Sequence, residues 1–473
     1  VRVSPDPESR VRALCLLARV ERQRKQPEAS AHAYEQAVVL SGVSGPAARE
    51  LRELVEASKP NDGPSFARYA NALKRHIESV APASPEAYAE LSRTLAGPLR
   101  DHAEAVHVLE RGLALHSEHL PLRAELAERL LAAGQHQRAI NELMRLLAED
   151  VHQAKSYRQL VEAYRGLERP TEATLALGPL VALGYANDVE RTAWSLRPVR
   201  PLAVAAGSIG PNEIAQITPR RGEDPTLRLL SALRDIVGKV NPPELDRWNV
   251  SSRDRVSNRS SHPLRQVTER AAHAFGVHAY ELYVHGAHQG LVEVELTDPV
   301  SILVPSHVAG LSEPEQAFLI ARAMANVARG IAVVDRLAPA GIELLLAAAA
   351  RLVEPSFASG KLDEEYLASL TRRVAKSLPW IGRGPIEDAA RAYADAPRLN
   401  PVTWTTEARL TAARAALIVA DDLPSSIGLV RRLEGDLAGI EGEALAEGTE
   451  LTEDLLRFWI SDAAFTLRRR LGL

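Results

Sequence analysis

An internal repeat constrains this chain more than any other feature. Ala105, Ala139 and Ala173 stand 34 residues apart, and Leu109, Leu143 and Leu177 keep the same interval. Leu126 and Leu160 add a third register, with Leu91 one residue out. A fixed period of this length marks stacked supersecondary units, none of which can bury its apolar face alone. The spacing of Ala139, Leu143, Leu146 and Leu147 predicts an amphipathic helix. A second helix precedes it and ends near Ala132-Ala133-Gly134-Gln135, so the unit is helix–turn–helix. Alanine recurs where helices of successive units cross closely, since a larger side chain would hold them apart. An earlier copy lies around 29–37, with Tyr34 at the large position and Ala37 three residues on.

This pattern resembles tetratricopeptide repeats over residues 9 to 195, in degenerate form. Tyr157 stands where the consensus has tryptophan, and Pro98 and Pro170 sit in turns. The resemblance implies an α–α superhelix whose concave groove holds a peptide or helix of a protein partner. It implies a non-catalytic scaffold or adaptor. An unrelated helical bundle with a coincidental period is the alternative.

Composition narrows the remaining classes. The chain of 473 residues is 46% hydrophobic and 25% charged, which excludes wholesale disorder. Its 57 basic and 61 acidic residues give a net charge of −4, too balanced to point to nucleic acid or an anionic membrane. A single cysteine, Cys15, excludes an internal disulfide framework and a thiolate zinc site; it fits a reducing, cytoplasmic compartment, and equally a periplasm, where many proteins also lack disulfides. Starting at Val1, the chain reads as a fragment or processed form. Its most apolar run, Leu344 to Ala350, is far shorter than the roughly 20 residues of a membrane-spanning helix.

The period ends at Ser195, which sets the expected boundaries: a repeat domain over 1–195, a linker over 196–262 and a second domain over 263–473. The linker opens on Arg197-Pro198-Val199-Arg200-Pro201, and a short helix is predicted over 226–237 before Gly238 and Pro242-Pro243. Ser251 to Ser261 reads as an exposed loop, and its Arg253, Arg255 and Arg259 as solvated charges or, alternatively, a phosphate-binding patch. Gly207 to Gly210 lacks the Gly-Lys-Ser/Thr of a nucleotide loop.

Beyond residue 262 the hydrophobic period switches. A helix over 263–275 precedes three predicted strands at 280–284, 291–296 and 301–305, with 285–290 as a hairpin connection. Ser312 and Glu315 form a capping box that opens a further helix, with Phe318, Leu319, Ala321 and Ala325 on its apolar face. Six more helices are expected, at 341–353, 363–378, 385–396, 406–420, 424–441 and 451–470. The predicted fold class is therefore mostly α: a superhelical solenoid followed by an α+β domain with a small sheet.

This order, with a capped helix opening Leu-Ser-Glu-x-Glu, resembles the HtpX-like and BepA-like zinc metallopeptidases of the zincin class. In that family the capped helix carries His-Glu-x-x-His, two metal ligands and a general base. Here the corresponding residues are Arg322-Ala323-Met324-Ala325-Asn326. The family's third ligand would fall at Leu410 and its aspartate at Arg414. The resemblance thus implies a pseudo-peptidase with no catalytic, metal-binding or cofactor-binding residue. The two modules stand in the reverse order from BepA-like proteins.

Other groups could carry chemistry. His262, His273, His278, His285, His288 and His307 crowd one stretch. A non-standard hydrolase, or a metal held by His285, His288 and His307, is the rival reading to a polar loop. The acid pairs Glu364-Glu365 and Asp421-Asp422 read as solvated charge, Cys15 as a small core residue, and Arg468-Arg469-Arg470 as a complement to a helix C-terminus. Phe458, Trp459 and Phe465 are expected to seal the second core.

Overall fold

The computed structural model describes residues 6–58, 63–80, 82–199, 207–220, 222–287, 291–379, 382–396, 399–438 and 450–473. The chain divides into two compact units, Val1–Leu177 and Gly178–Leu473. The described residues are mostly helical, and no helix among them is long and apolar enough to cross a membrane.

The first unit is a run of helix pairs: α1 (Pro7–Gln23) with α2 (Pro27–Ser41), α3 (Pro46–Ser58) with α4 (Gly63–Ser79), and α5 (Pro85–Ala96) with α6 (His102–Leu115). The pairs α7 (Leu120–Ala132) with α8 (His136–Glu149) and α9 (Ala154–Gly166) with α10 (Pro170–Leu175) complete it. The second helices α6, α8 and α10 begin 34 residues apart, matching the period of the sequence. Ala105, Ala139 and Ala173 are all buried, as are the leucines of the three registers, so the recurring positions are the core. The turns within the last three pairs are made the same way. Arg100, Gly134 and Glu168, again 34 apart, take the left-handed conformation with φ of 54°, 70° and 57°. The next amide then bonds back into the first helix, as Gln135 N to Leu130 O at 2.8 Å.

The second unit begins earlier than the period suggests. Helices α11 (Gly178–Ala182) and α12 (Asp188–Ser195) belong to it, because α11 packs on α22 (Leu423–Ala438) and Trp194 of α12 meets Trp459. Helical periodicity continues through 195, but the apolar face changes partner at 178. The expected linker is likewise part of this unit's core. It forms α13 (Pro211–Ile217), α14 (Pro225–Ala232) and α15 (Arg234–Val240) in place of a single short helix, and Leu229, Leu230, Leu233, Ile236 and Val237 are buried. Arg220 forms a bidentate pair with Glu407 at 3.0 Å, and Trp404 Nε1 donates to Asp224 at 2.9 Å, fixing the segment on α21 (Pro401–Ala420).

The expected strands form as β1 (Tyr280–His285), β2 (Glu293–Glu295) and β3 (Val300–Pro305), after α16 (Pro263–Ala274). Their order is β1-β3-β2, so β1 and β2 do not pair as the expected hairpin; 288–290 of its connection lie outside the described residues. β3 lies between them, parallel to β1 and antiparallel to β2. Five consecutive residues of β3 are buried, Ser301 to Pro305, and a continuous buried run belongs in the centre of a sheet. The predicted loop 251–261 also has sheet character: Val256 N donates to Leu282 O and Val284 N to Asp254 O along the outer side of β1.

Next come α17 (Glu313–Ala328), with the expected capping box, α18 (Pro339–Ala350), α19 (Glu364–Ser377), α20 (Arg383–Asp395), α21 and α22. α17 packs along α21, and the apolar α18 lies in the core beside α14, α19 and α20. The expected long helix at 451–470 is two, α23 (Glu450–Trp459) and α24 (Asp462–Leu471), because Ser461 turns the chain and caps the second through Ala464 N.

Candidate functional site

In the first unit, the first helix of each pair is tied to the next by an ion pair. Arg19 of α1 reaches Glu50 of α3, Arg52 of α3 reaches Glu90 of α5, and Arg93 of α5 reaches Glu125 of α7. Lys155 of α9 continues the series to Glu128 of α7. Tyrosines on second helices brace two rungs: Tyr34 donates to Glu50 at 2.6 Å and Tyr69 to Glu90 at 3.1 Å. The partners are unequally placed. Glu50, Glu90 and Glu125 retain only 11–14% side-chain exposure, whereas Arg19, Arg52 and Arg93 retain 49–53%. The acids are sunk and the guanidiniums stand out, so this face offers a row of exposed, pre-oriented cations. The Arg19 hydrogen bond holds the Glu50 carboxyl below its ordinary range, and burial, followed by the Glu50 contact, pushes the Tyr34 phenol up.

In the second unit, a cavity of 380 Å³ opens between the sheet, α17 and α21. Arg322 of α17 lines it, and so do Glu293 of β2, Asp335 and Arg409. Asn326 is buried and donates to Asp335 Oδ2 at 2.9 Å, while Arg322 lies 3.8 Å from the other oxygen. Arg329 links the two long helices, donating to Asn326 at 3.4 Å and to the Ala408 carbonyl at 3.0 Å; burial lowers it to about 10. The α21 residue in the cavity wall is Arg409; Leu410, where the resemblance would put a third ligand, does not line it. Arg414 points elsewhere, into a bidentate pair with Asp454 and over the Phe458 ring.

The histidines do not converge. His262 caps α16 by accepting from Leu264 N at 3.2 Å, His273 ends that helix, and His307 is exposed. His278 lines a different, open cleft beside α15, and His285 is buried against Trp248 with ring centroids 5.0 Å apart. His288 lies outside the described residues. Among the described residues, no three His, Cys, Asp or Glu side chains stand where they could share a metal ion.

Both acid pairs and the arginine triplet contribute ion pairs, and of the acids Glu364 and Glu365 stay exposed, as expected of solvated charge. Glu364 takes a bidentate pair from Arg351, with bonds of 2.7 and 2.9 Å. Asp421 accepts from the buried Arg468 at 3.0 Å, and Asp422 pairs with Arg197. Arg470 pairs with Glu213. All three arginines lie in the last turn of α24, as expected of a complement to a helix C-terminus; Arg468 is in addition a buried ion-pair partner, while Arg469 and Arg470 are exposed. Of the loop arginines, Arg255 pairs with Glu281 at 2.9 Å. Cys15 is buried in α1, and Phe458, Trp459 and Phe465 are buried as expected. Sequence reasoning missed Glu293, Asp335 and Arg409: they come from three elements far apart in the chain and share no spacing that would mark them.

Residues 99–164 match the family model described as tetratricopeptide repeat. Among solved structures, similarity is found to YrrB, a TPR protein with an unusual peptide-binding site. It is 14% identical, covers 39% of this chain and 91% of that one, and superposes with a TM-score of 0.29. The MamA protein is 17% identical, covers 41% of this chain and all of that one, and gives a TM-score of 0.28. No curated protein matches the chain. With its 34-residue period, helix pairing and family match together, the segment from α6 into α9 is a tetratricopeptide repeat region.

Proposed function

We propose that this protein is a non-catalytic scaffold whose repeat unit binds a segment of a protein partner on the face formed by the first helices of each pair. The observation that carries this reading is the row of exposed guanidiniums, Arg19, Arg52 and Arg93, each fixed by a sunken glutamate. Pre-oriented cations repeated along stacked units favour a partner segment carrying acidic side chains.

The second unit is read as a zincin-like module without its chemistry, over residues 263–473, with the helices before it packed on as support. Its element order and capped helix support that reading, and Arg322, Ala323 and Asn326 at the positions of the ligands and base support its being a pseudo-enzyme. A guanidinium repels a dication, and an amide and a methyl group cannot generate a hydroxide nucleophile.

The test uses the full chain. Partners captured from the native cell extract are cross-linked and the linked peptides identified. The reading expects cross-links on α3, α5 and α7, and at least a tenfold drop in capture for Arg52→Glu/Arg93→Glu. Unchanged capture by that variant would overturn it, and chelator-sensitive cleavage of a peptide would overturn the pseudo-enzyme.

A further inference from the structure

The cavity of the second unit carries a charge pattern that a scaffold role does not use. One wall is apolar, from Phe318, Leu319 and Val430. Facing it are two carboxyls, Glu293 and Asp335, and two guanidiniums, Arg322 and Arg409. These four are incompletely satisfied by one another. Arg409 makes one long hydrogen bond, 3.4 Å to the Val334 carbonyl, and no ion pair forms to it or to Glu293 among the described residues. Arg322 stands 3.8 Å from Asp335, too far for a hydrogen bond. Asp335 is already engaged by Asn326, which leaves Glu293 as the carboxyl without a cation. Burial, and then the neighbouring Asp335, push Glu293 up against the opposing pull of Arg247 and Arg322, with Glu295 adding to the push.

Such a cavity selects by exclusion. A simple anion would answer Arg409 and leave Glu293 uncompensated. A simple amine would answer Glu293 and leave the arginines idle, and a neutral apolar molecule would strand both. A molecule bearing an ammonium, a carboxylate and an aliphatic body answers all three surfaces. A volume of 380 Å³ lies within the range of roughly 300–1,000 Å³ typical of small-molecule sites. We infer that this cavity binds a zwitterionic aliphatic amino acid or dipeptide, its carboxylate on Arg409 and Arg322, its ammonium on Glu293, and its side chain against Phe318 and Leu319.

The experiment is calorimetric titration of the full chain with L-leucine and Leu-Leu, and with the single-charge analogues leucinamide and 4-methylpentanoate. At least one zwitterion is expected to bind saturably, and both single-charge analogues at least tenfold more weakly. The tighter of leucine and Leu-Leu identifies the source. Arg409→Gln should erase the preference over leucinamide, and Glu293→Gln the preference over 4-methylpentanoate. Absence of binding by both zwitterions at millimolar concentration, or analogues binding equally well, would overturn the inference on the unmodified protein. So would variants that fold and keep both preferences. Partner capture by the repeat unit is read separately, so the failure of one leaves the other standing.

Discussion

The guanidinium of Arg468 lies 3.7 Å above the centre of the Trp459 ring and donates from Nε to Asp421 at 3.0 Å. Arg468 is 2% exposed, so its charge is held in the interior by one carboxylate and one aromatic face. Asp421 stays there at a cost: burial pushes its carboxyl up, with Arg468 opposing, and its backbone sits at φ 45°. Removing the cation strands that carboxylate. Arg468→Ala is expected to cost about 3–5 kcal/mol, and Arg468→Met with Asp421→Asn much less, because a buried pair is dangerous chiefly when broken. Chemical denaturation of the three proteins checks the order.

The first rung of the arginine row predicts acid sensitivity. Glu50 is depressed in the folded chain by Arg19, so its contribution is fully present above the ordinary carboxylate value and is lost as pH falls through the lowered one. Glu50→Gln is expected to destabilise at pH 7 by on the order of 1 kcal/mol, discounted because Arg19 is half exposed. The gap from the unmodified chain should close toward pH 3. Melting curves across that range test the sign.

Glu293 predicts the opposite. Its carboxyl is raised, so the ionised form is the costly one: the penalty is present at neutral pH and fades as pH falls through the raised value to the ordinary one. Glu293→Gln should therefore stabilise the empty protein at pH 8 by about 1 kcal/mol and have no effect near pH 4. A variant less stable than the parent at pH 8 would contradict this.

The turns of the repeat give a fourth stability test. Position 134 carries glycine at φ 70°, whereas the equivalent positions 100 and 168 carry Arg and Glu in the same left-handed region. Gly134→Val is expected to cost about 1–2 kcal/mol or more, because a β-branched residue is strained there. Arg100→Gly and Glu168→Gly should be neutral or slightly stabilising in thermal melts.

What could be read from the chain alone follows a physical divide. Ala105, Ala139 and Ala173 announce the solenoid because a stacked repeat writes its core into the sequence at a fixed interval. Ser312 and Glu315 announce α17 because a cap is a local event. The neighbour of a strand is not local. β1 and β2 follow each other in sequence, yet β3 separates them, and only the buried run of Ser301 to Pro305 hinted at its central place. Burial of long cations is equally silent: Arg468 sits beside exposed arginines at the end of a helix, and the Trp459 ring and carbonyl together with Asp421, 47 residues away, draw it inward. The cavity joins Glu293, Arg322 and Arg409 from β2, α17 and α21, and Leu410, the position that family resemblance suggested, does not line it.

Trp194 belongs to the same nest as Trp459. The two indoles lie 6.0 Å apart, Arg197 stacks 3.9 Å from Trp194, and a methyl group at Gly178 would come within 2.9 Å of Trp459. Severing the polypeptide at the end of its 34-residue rhythm, after Ser195, would therefore cut through a core. One product would keep a bare indole liable to aggregate, and the other would lose the lid over its buried cation. A break after Leu177, where the second unit begins, would leave that nest whole.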